Sequence, residues 1–129
     1  MGETEDLILG LYRAYRRQDL DELIAGMHPD AHFKPVPSAR TYHGREDIRL
    51  LFEHDIYTLD EFDFRVISVQ ESGDRALLHG KNRVRQGGDV RDAPIYWVGR
   101  FRDGLLEIFE PYDRIEDATA AFGGAVSGA

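Results

Sequence analysis

The chain has 129 residues, 42% hydrophobic and 31% charged, a balance that suits one globular domain with a core of its own. A formal net charge of −8 argues against a nucleic-acid partner, because phosphate binding wants a basic surface. The absence of cysteine excludes disulfides and thiolate chemistry, and no apolar run approaches the roughly 18 residues that span a bilayer. Its first residues, Met-Gly-Glu-Thr-Glu-Asp, lack the basic and apolar regions of a secretory signal. A soluble chain of the reducing cytoplasm is expected.

Thr4 is placed to cap a first helix, with Glu5 and Asp6 at its positive end. Leu7, Ile8, Leu11, Tyr12 and Tyr15 recur at helical spacing, while Arg13, Arg16 and Arg17 face water. Asp19 opens a second helix and Glu22 completes a capping box, with Leu20, Leu23, Ile24 and Met27 as the buried stripe. His28-Pro29-Asp30 stops that helix, since proline disfavours helix in the residue before it. A short strand through Ala31 and Phe33 follows, ended by Pro35 and Pro37. Its prolines mark it as an edge, because proline cannot donate to a ladder. The loop from Pro35 to His43 is placed to cover a pocket mouth, and Gly44-Arg45 leads into a third helix with Ile48, Leu51, Phe52 and Ile56 inward.

From Phe62 the period changes from near 3.6 to near 2. Phe62, Phe64 and Val66 begin a strand that turns at Ser72-Gly73-Asp74. On the next, Ala76, Leu78, Gly80, Asn82 and Val84 face one way, and Leu77, His79, Lys81, Arg83 and Arg85 the other. A turn at residues 86–89 leads to a hairpin whose strands flank Asp103-Gly104, a dipeptide suited to positive φ. Trp97, Gly99 and Phe101 face inward there, since the alternate set carries Arg100 and Arg102. Without a bulge, Leu106, Ile108, Glu110 and Tyr112 are the inward set of the return strand. Asp113 and Glu116 form a capping box for a terminal helix through Phe122. Residues 1–122 make one domain, and the tail 123–129, poor in anything to bury, is expected to be disordered.

Several local motifs carry a resemblance. Asp19-Leu20-Asp21 with Leu23, Pro29-Asp30-Ala31, Tyr42-His43-Gly44-Arg45-Glu46 with Ile48, Gly73-Asp74-Arg75, and Phe101-Arg102-Asp103-Gly104 with Tyr112-Asp113 resemble the SnoaL-like branch of the nuclear transport factor 2-like fold. That branch includes polyketide cyclases and, more distantly, ketosteroid isomerases. The resemblance implies an α+β fold with three N-terminal helices packed on a strongly curved, mixed or antiparallel sheet, a cone with an internal pocket. It does not bring the isomerase machinery. The positions of that family's general base, helix-one tyrosine and protonated aspartate fall near Pro35, Leu11 and Trp97. Nor do the sheet segments carry the Arg-x-Asp pair of limonene epoxide hydrolases. A small-molecule pocket is implied and its chemistry is open.

Glu110 is the leading catalytic candidate, because an inward carboxylate beside Trp97, Ile108 and Tyr112 suits a general acid or base. Tyr112 would assist it, in a cofactor-independent isomerisation, cyclisation or hydration. A bulge near Pro111 would instead turn Glu110 to solvent and Phe109 inward. Tyr12, Phe33, His43, Phe52, Asn82, Trp97 and Phe101 are the candidate ligand-binding residues, with Asn82 orienting a ligand oxygen. Gly80 and Gly99 would leave room beside them. The alternative is a non-catalytic ligand-binding or protein-interaction module.

No histidine spacing suggests a metal site, and no cofactor is expected. Asp113 reads better as a helix cap than as a pocket acid. The expected partner is an apolar small molecule. A second copy of the chain is expected on the outer sheet face, where the stripe Lys81, Arg83, Arg85, Arg100 and Arg102 would meet Asp63, Glu71 and Glu107 or their copies.

Overall fold

Ile8, Ala14 and Tyr15 share one face of α1 (Glu3–Arg16), and their burial holds that helix against a six-stranded sheet. The structure, a computed structural model, describes residues 2–37, 39–56, 62–86 and 88–123. Thr4 does not cap α1. The helix begins behind Gly2, and the Thr4 hydroxyl donates to the Gly73 carbonyl at 2.6 Å, tying the helix to a distant turn. In α2 (Leu20–Ala25) the Asp19 carboxylate does accept from the Glu22 amide, at 3.2 Å. Glu22 itself pairs with Arg17 rather than reaching back.

Gly26 ends α2, so Met27 opens β1 (Met27–Phe33) instead of completing the helical stripe. This strand is not an edge. It pairs antiparallel with β2 (Tyr42–His43) and parallel with the last strand of the sheet. Pro29 is tolerated because the ladder to that strand is interrupted between Met27 and His32, so its missing N–H is not demanded there. A third helix, α3 (Arg45–Leu50), continues as one π-helical stretch (Leu51–Ile56) that buries Leu51 and Phe52.

Then β3 (Phe62–Ser72), β4 (Arg75–Gln86), β5 (Asp89–Arg102) and β6 (Leu105–Tyr112) run antiparallel, giving the order β2-β1-β6-β5-β4-β3. Different strands form the two edges, so the curved sheet stays open. Asp103 and Gly104 make the last hairpin turn with φ of 55° and 79°, as their sequence suggests. α4 (Ile115–Phe122) follows, and its N-cap is Arg114, without a side-chain bond. Asp113 therefore has no capping duty. Gly123 closes α4 in the left-handed conformation; the rest of the tail lies outside the described residues.

Two cores result. α1, α2 and α3 bury one face of the sheet over Leu78, Trp97, Phe101, Leu106 and Phe109. α4 covers part of the other face, where Leu77, Val98, Ala118 and Phe122 pack. The curvature has local causes. β3 bulges at Ile67 and β6 at Glu107, each leaving one residue unpaired and bending its strand. Gly80 lies opposite Val66, next to the first bulge, and a Cβ there would fall 2.1 Å from the Arg65 carbonyl oxygen.

Candidate functional site

Inside the helical face lies a cavity of about 30 Å³. Ile8, Leu11, Tyr12 and Tyr15 of α1 form one wall; Leu23, Met27, Phe33 and Phe52 form another. The sheet contributes Phe64, Leu78, Leu106 and Phe109. The aromatic rings are in contact throughout. Tyr15 stacks on Phe64 at 4.5 Å and Phe33 on Phe109 at 4.6 Å, while Phe64 tilts against Trp97 at 4.7 Å. A wall of this kind offers dispersion and ring–ring contacts to a guest and excludes ions. Its volume is that of one or two water molecules, so anything larger enters by moving an aromatic side chain.

Beside the Tyr15 hydroxyl, polar groups of Tyr12 on the wall and of Trp97 and Asn82 behind it belong to this inner layer. Tyr12 donates to the Phe64 carbonyl at 3.2 Å and accepts from the Val66 amide at 3.3 Å, which occupies its hydroxyl at the β3 bulge. The Trp97 indole N–H donates to the Pro35 carbonyl at 3.3 Å, fixing the start of the loop that follows β1. Asn82 lies on the inward side of β4, with Ala76, Leu78 and Gly80, and is 9% exposed. Its amide oxygen is buried with no hydrogen-bond partner.

Other candidates lie elsewhere. Glu110 is exposed, and Tyr112 packs against the outer core with α4; neither faces the cavity. The bulge that moves them sits at Glu107, earlier than Pro111. Phe101 pairs with Leu106 but Arg100 pairs with Ile108, so every later residue of β6 changes face. Phe109, 4% exposed, takes the inward place, with Pro111 beside it opposite Trp97. Glu107 gains from the shift, reaching Arg100 at 2.5 Å and Arg102 at 3.3 Å, and the Arg100 guanidinium holds its carboxyl below the usual range. On the outside the Tyr112 hydroxyl donates to Glu110 at 2.9 Å. Burial first, and that carboxylate second, push the phenol up to about 12.

Phe101 is buried in the inner core but borders a separate groove beside Asp6, Gly10 and Glu22. The space beside Gly80 is not vacant, since a Cβ there would meet the Trp97 ring at 3.0 Å. Likewise a Cβ at Gly99 would meet Leu106 at 3.2 Å and Ile8 at 3.4 Å. His43 is exposed on β2, stacked on His32 at 4.4 Å. Tyr15, Phe64, Leu78 and Phe109 line the cavity without having been singled out as ligand contacts. For Phe109 a signal existed: strict alternation would have left the one phenylalanine of β6 facing water.

β2 is held by Asp47, which accepts from the His43 amide at 3.0 Å and from Arg40 at 2.9 and 3.0 Å. Arg40 first, then that amide, lower the Asp47 carboxyl to about 2. Its folded value thus lies below its unfolded value, so its contribution is present above about pH 4 and is lost as pH falls towards 2. The expected result in acid is early loss of amide protection at His43, with Asp47→Asn showing that loss already at neutral pH. Equal protection in both proteins would refute the anchor.

The outer-face arginines are largely matched within the chain. Arg83 pairs with Asp92 at 3.0 Å, Asp63 pairs with Arg16 and Arg65, and Glu71 accepts from the Glu5 amide. The Arg85 side chain lies outside the described residues. Among the described residues no cluster of three or more histidines and carboxylates is placed to hold a metal, and no helix is long and apolar enough to cross a membrane.

Residues 8–108 match the family model described as SnoaL-like domain. Among solved structures, an NTF2-like protein of unknown function from Burkholderia pseudomallei is 22% identical with a TM-score of 0.77, over 96% of this chain and 100% of that one. TerC, co-crystallised with polyporic acid, is 21% identical with a TM-score of 0.75, over 95% and 100%. Rv0760c from Mycobacterium tuberculosis, in complex with estradiol-17β-hemisuccinate, is 14% identical with a TM-score of 0.75, over 90% and 97%. At these identities the likeness is one of fold. No curated protein matches the chain significantly.

Proposed function

The chain belongs to the SnoaL-like domain family, and on that premise we propose that it binds an apolar, partly oxygenated small molecule between its helices and the inner face of its sheet, without turnover. The observation that carries this reading is the cavity wall, which among the described residues bears no carboxylate and no imidazole. Isomerisation, cyclisation or hydration by acid–base chemistry most often uses such a group within hydrogen-bond reach of the reacting atom, and the Tyr12 phenol on the wall is already held by two backbone groups of β3. With Glu110 on the opposite face, the inner site keeps the means to hold a molecule without the carboxylate the sequence offered to move a proton. That two fold neighbours were crystallised with ring-bearing small molecules, polyporic acid and estradiol-17β-hemisuccinate, supports a small-molecule guest. The lack of cysteine fits residence in a reducing cytoplasm.

Trp97, the sole tryptophan, stands against the cavity wall through Phe64 and reports occupancy by its fluorescence. Titration with naphthalene or estradiol is expected to shift Trp97 emission saturably and to raise the melting temperature. Glu110→Gln is expected to leave both effects unchanged. Flat emission and a constant melting temperature across apolar aromatic compounds would refute the reading.

One further observation favours a second copy of the chain as partner. Ile67 is 58% exposed at the bulge of the edge strand β3, a large apolar side chain left in water. Dimerisation there is expected in sedimentation analysis and should be weakened by Ile67→Asp; a monomer at all concentrations would rule it out.

A further inference from the structure

Every polar group of the inner layer named above has a partner except one. The Tyr12 hydroxyl is engaged by two backbone groups of β3 and the Trp97 indole by Pro35. The Asn82 amide oxygen is, among the described residues, the buried side-chain polar atom that nothing satisfies. Native proteins bury few such atoms, since each forfeits its bond to water without replacement.

Its position gives the vacancy a use. Asn82 pairs across the ladder with Phe64, whose ring forms part of the cavity wall, and sits two residues beyond Gly80, over which the Trp97 ring lies. Residues paired across strands on one face stand about 5 Å apart at Cβ. A guest that enlarges the cavity by displacing the Phe64 ring from Trp97 therefore comes within reach of the Asn82 carbonyl.

Resting on the binding reading above, we propose that Asn82 selects the guest. The ligand is a flat, apolar molecule of about two fused rings that carries one hydroxyl or N–H donor, and that donor bonds to the Asn82 amide oxygen while the rings replace the Phe64–Trp97 contact. A guest without a donor leaves the amide unsatisfied and binds more weakly. The discrimination is that of a site built to hydrogen-bond its ligand against an analogue of the same shape.

The test uses 2-naphthol, 2-methoxynaphthalene and naphthalene, with Trp97 emission and calorimetry as readouts, on the full chain and on Asn82→Leu. In the wild-type protein 2-naphthol is expected to bind at least about tenfold more tightly than either analogue, the equivalent of one recovered hydrogen bond. In Asn82→Leu that preference should vanish while naphthalene still binds. The variant should also melt higher than the wild type, since it removes a buried unsatisfied group, so a folding failure would itself count against the proposal. Equal binding of the three probes to the wild type, or an undiminished preference in Asn82→Leu, would overturn the role of Asn82 and leave the pocket standing. Absence of binding by all three probes to both proteins would overturn the pocket and the selection together.

Discussion

Phe109→Ala is expected to destabilise the chain by about 3–5 kcal/mol, whereas Glu110→Gln should change stability by less than about 0.5 kcal/mol. Neighbours in sequence, the two residues differ because one extra residue at Glu107 moves the rest of β6 by half a pleat. Phe109 then stacks on Phe33 at 4.6 Å and closes one side of the cavity. Removing its ring leaves a void that the stacked partner cannot fill without leaving its own rotamer. Glu110, exposed on the outer face, accepts from the Tyr112 hydroxyl, a bond that glutamine can also accept. Urea denaturation of the two variants checks the pair. A larger loss at Glu110 than at Phe109 would mean that the strand has the unbulged register.

Gly80→Ala is the second large effect, a loss of about 1–3 kcal/mol from adding a single methyl group. The neighbour in the way is backbone: the Arg65 carbonyl oxygen lies 2.1 Å from where the Cβ must go. The strand cannot retreat freely, because Tyr12 grips both Phe64 and Val66 around that point. On the other side the Trp97 ring is 3.0 Å away and must tilt. Stability and pocket should therefore fail together, with a shifted Trp97 emission in the still-folded variant. An alanine variant as stable as the parent, with unchanged emission, would refute the close approach.

Much of this architecture was legible because hydrophobic period and turn chemistry agree along the chain. The switch near Phe62, the Asp103-Gly104 turn and the inward set of Ala76, Leu78, Gly80 and Asn82 follow from local rules alone. Long-range pairing was less legible. That β1 lies between β2 and β6, with Pro29 at a gap in the ladder, depends on a parallel partner some eighty residues away in the chain, to which no local signal points. The capping roles of Thr4 and Asp113 failed for another reason. Short polar side chains at a helix start have several acceptable partners, and Thr4 found a better one in Gly73.

The site divides along the same line. Tyr12, Phe33 and Phe52 line the cavity, Trp97 and Asn82 stand beside its Phe64 wall, and all five were drawn from the elements whose faces the period determines. Glu110 and Tyr112 were assigned beyond a bulge, where one unpaired residue reverses every assignment after it. The pair Leu105-Leu106, the charge at 107 and the pair Ile108-Phe109 admit two registers, and burial of Phe109 against Phe33, with the ion pairs of Glu107 to Arg100 and Arg102, favours the bulged one.

The most direct measurement is a crystal structure of the chain grown with 2-naphthol. It should show the rings between Phe64 and Trp97, the hydroxyl on the Asn82 amide, Phe109 lining the site, and Glu110 on the far face. Finding the ligand instead in the outer groove beside Arg75, Arg100 and Glu110, with the inner core unchanged, would contradict the account.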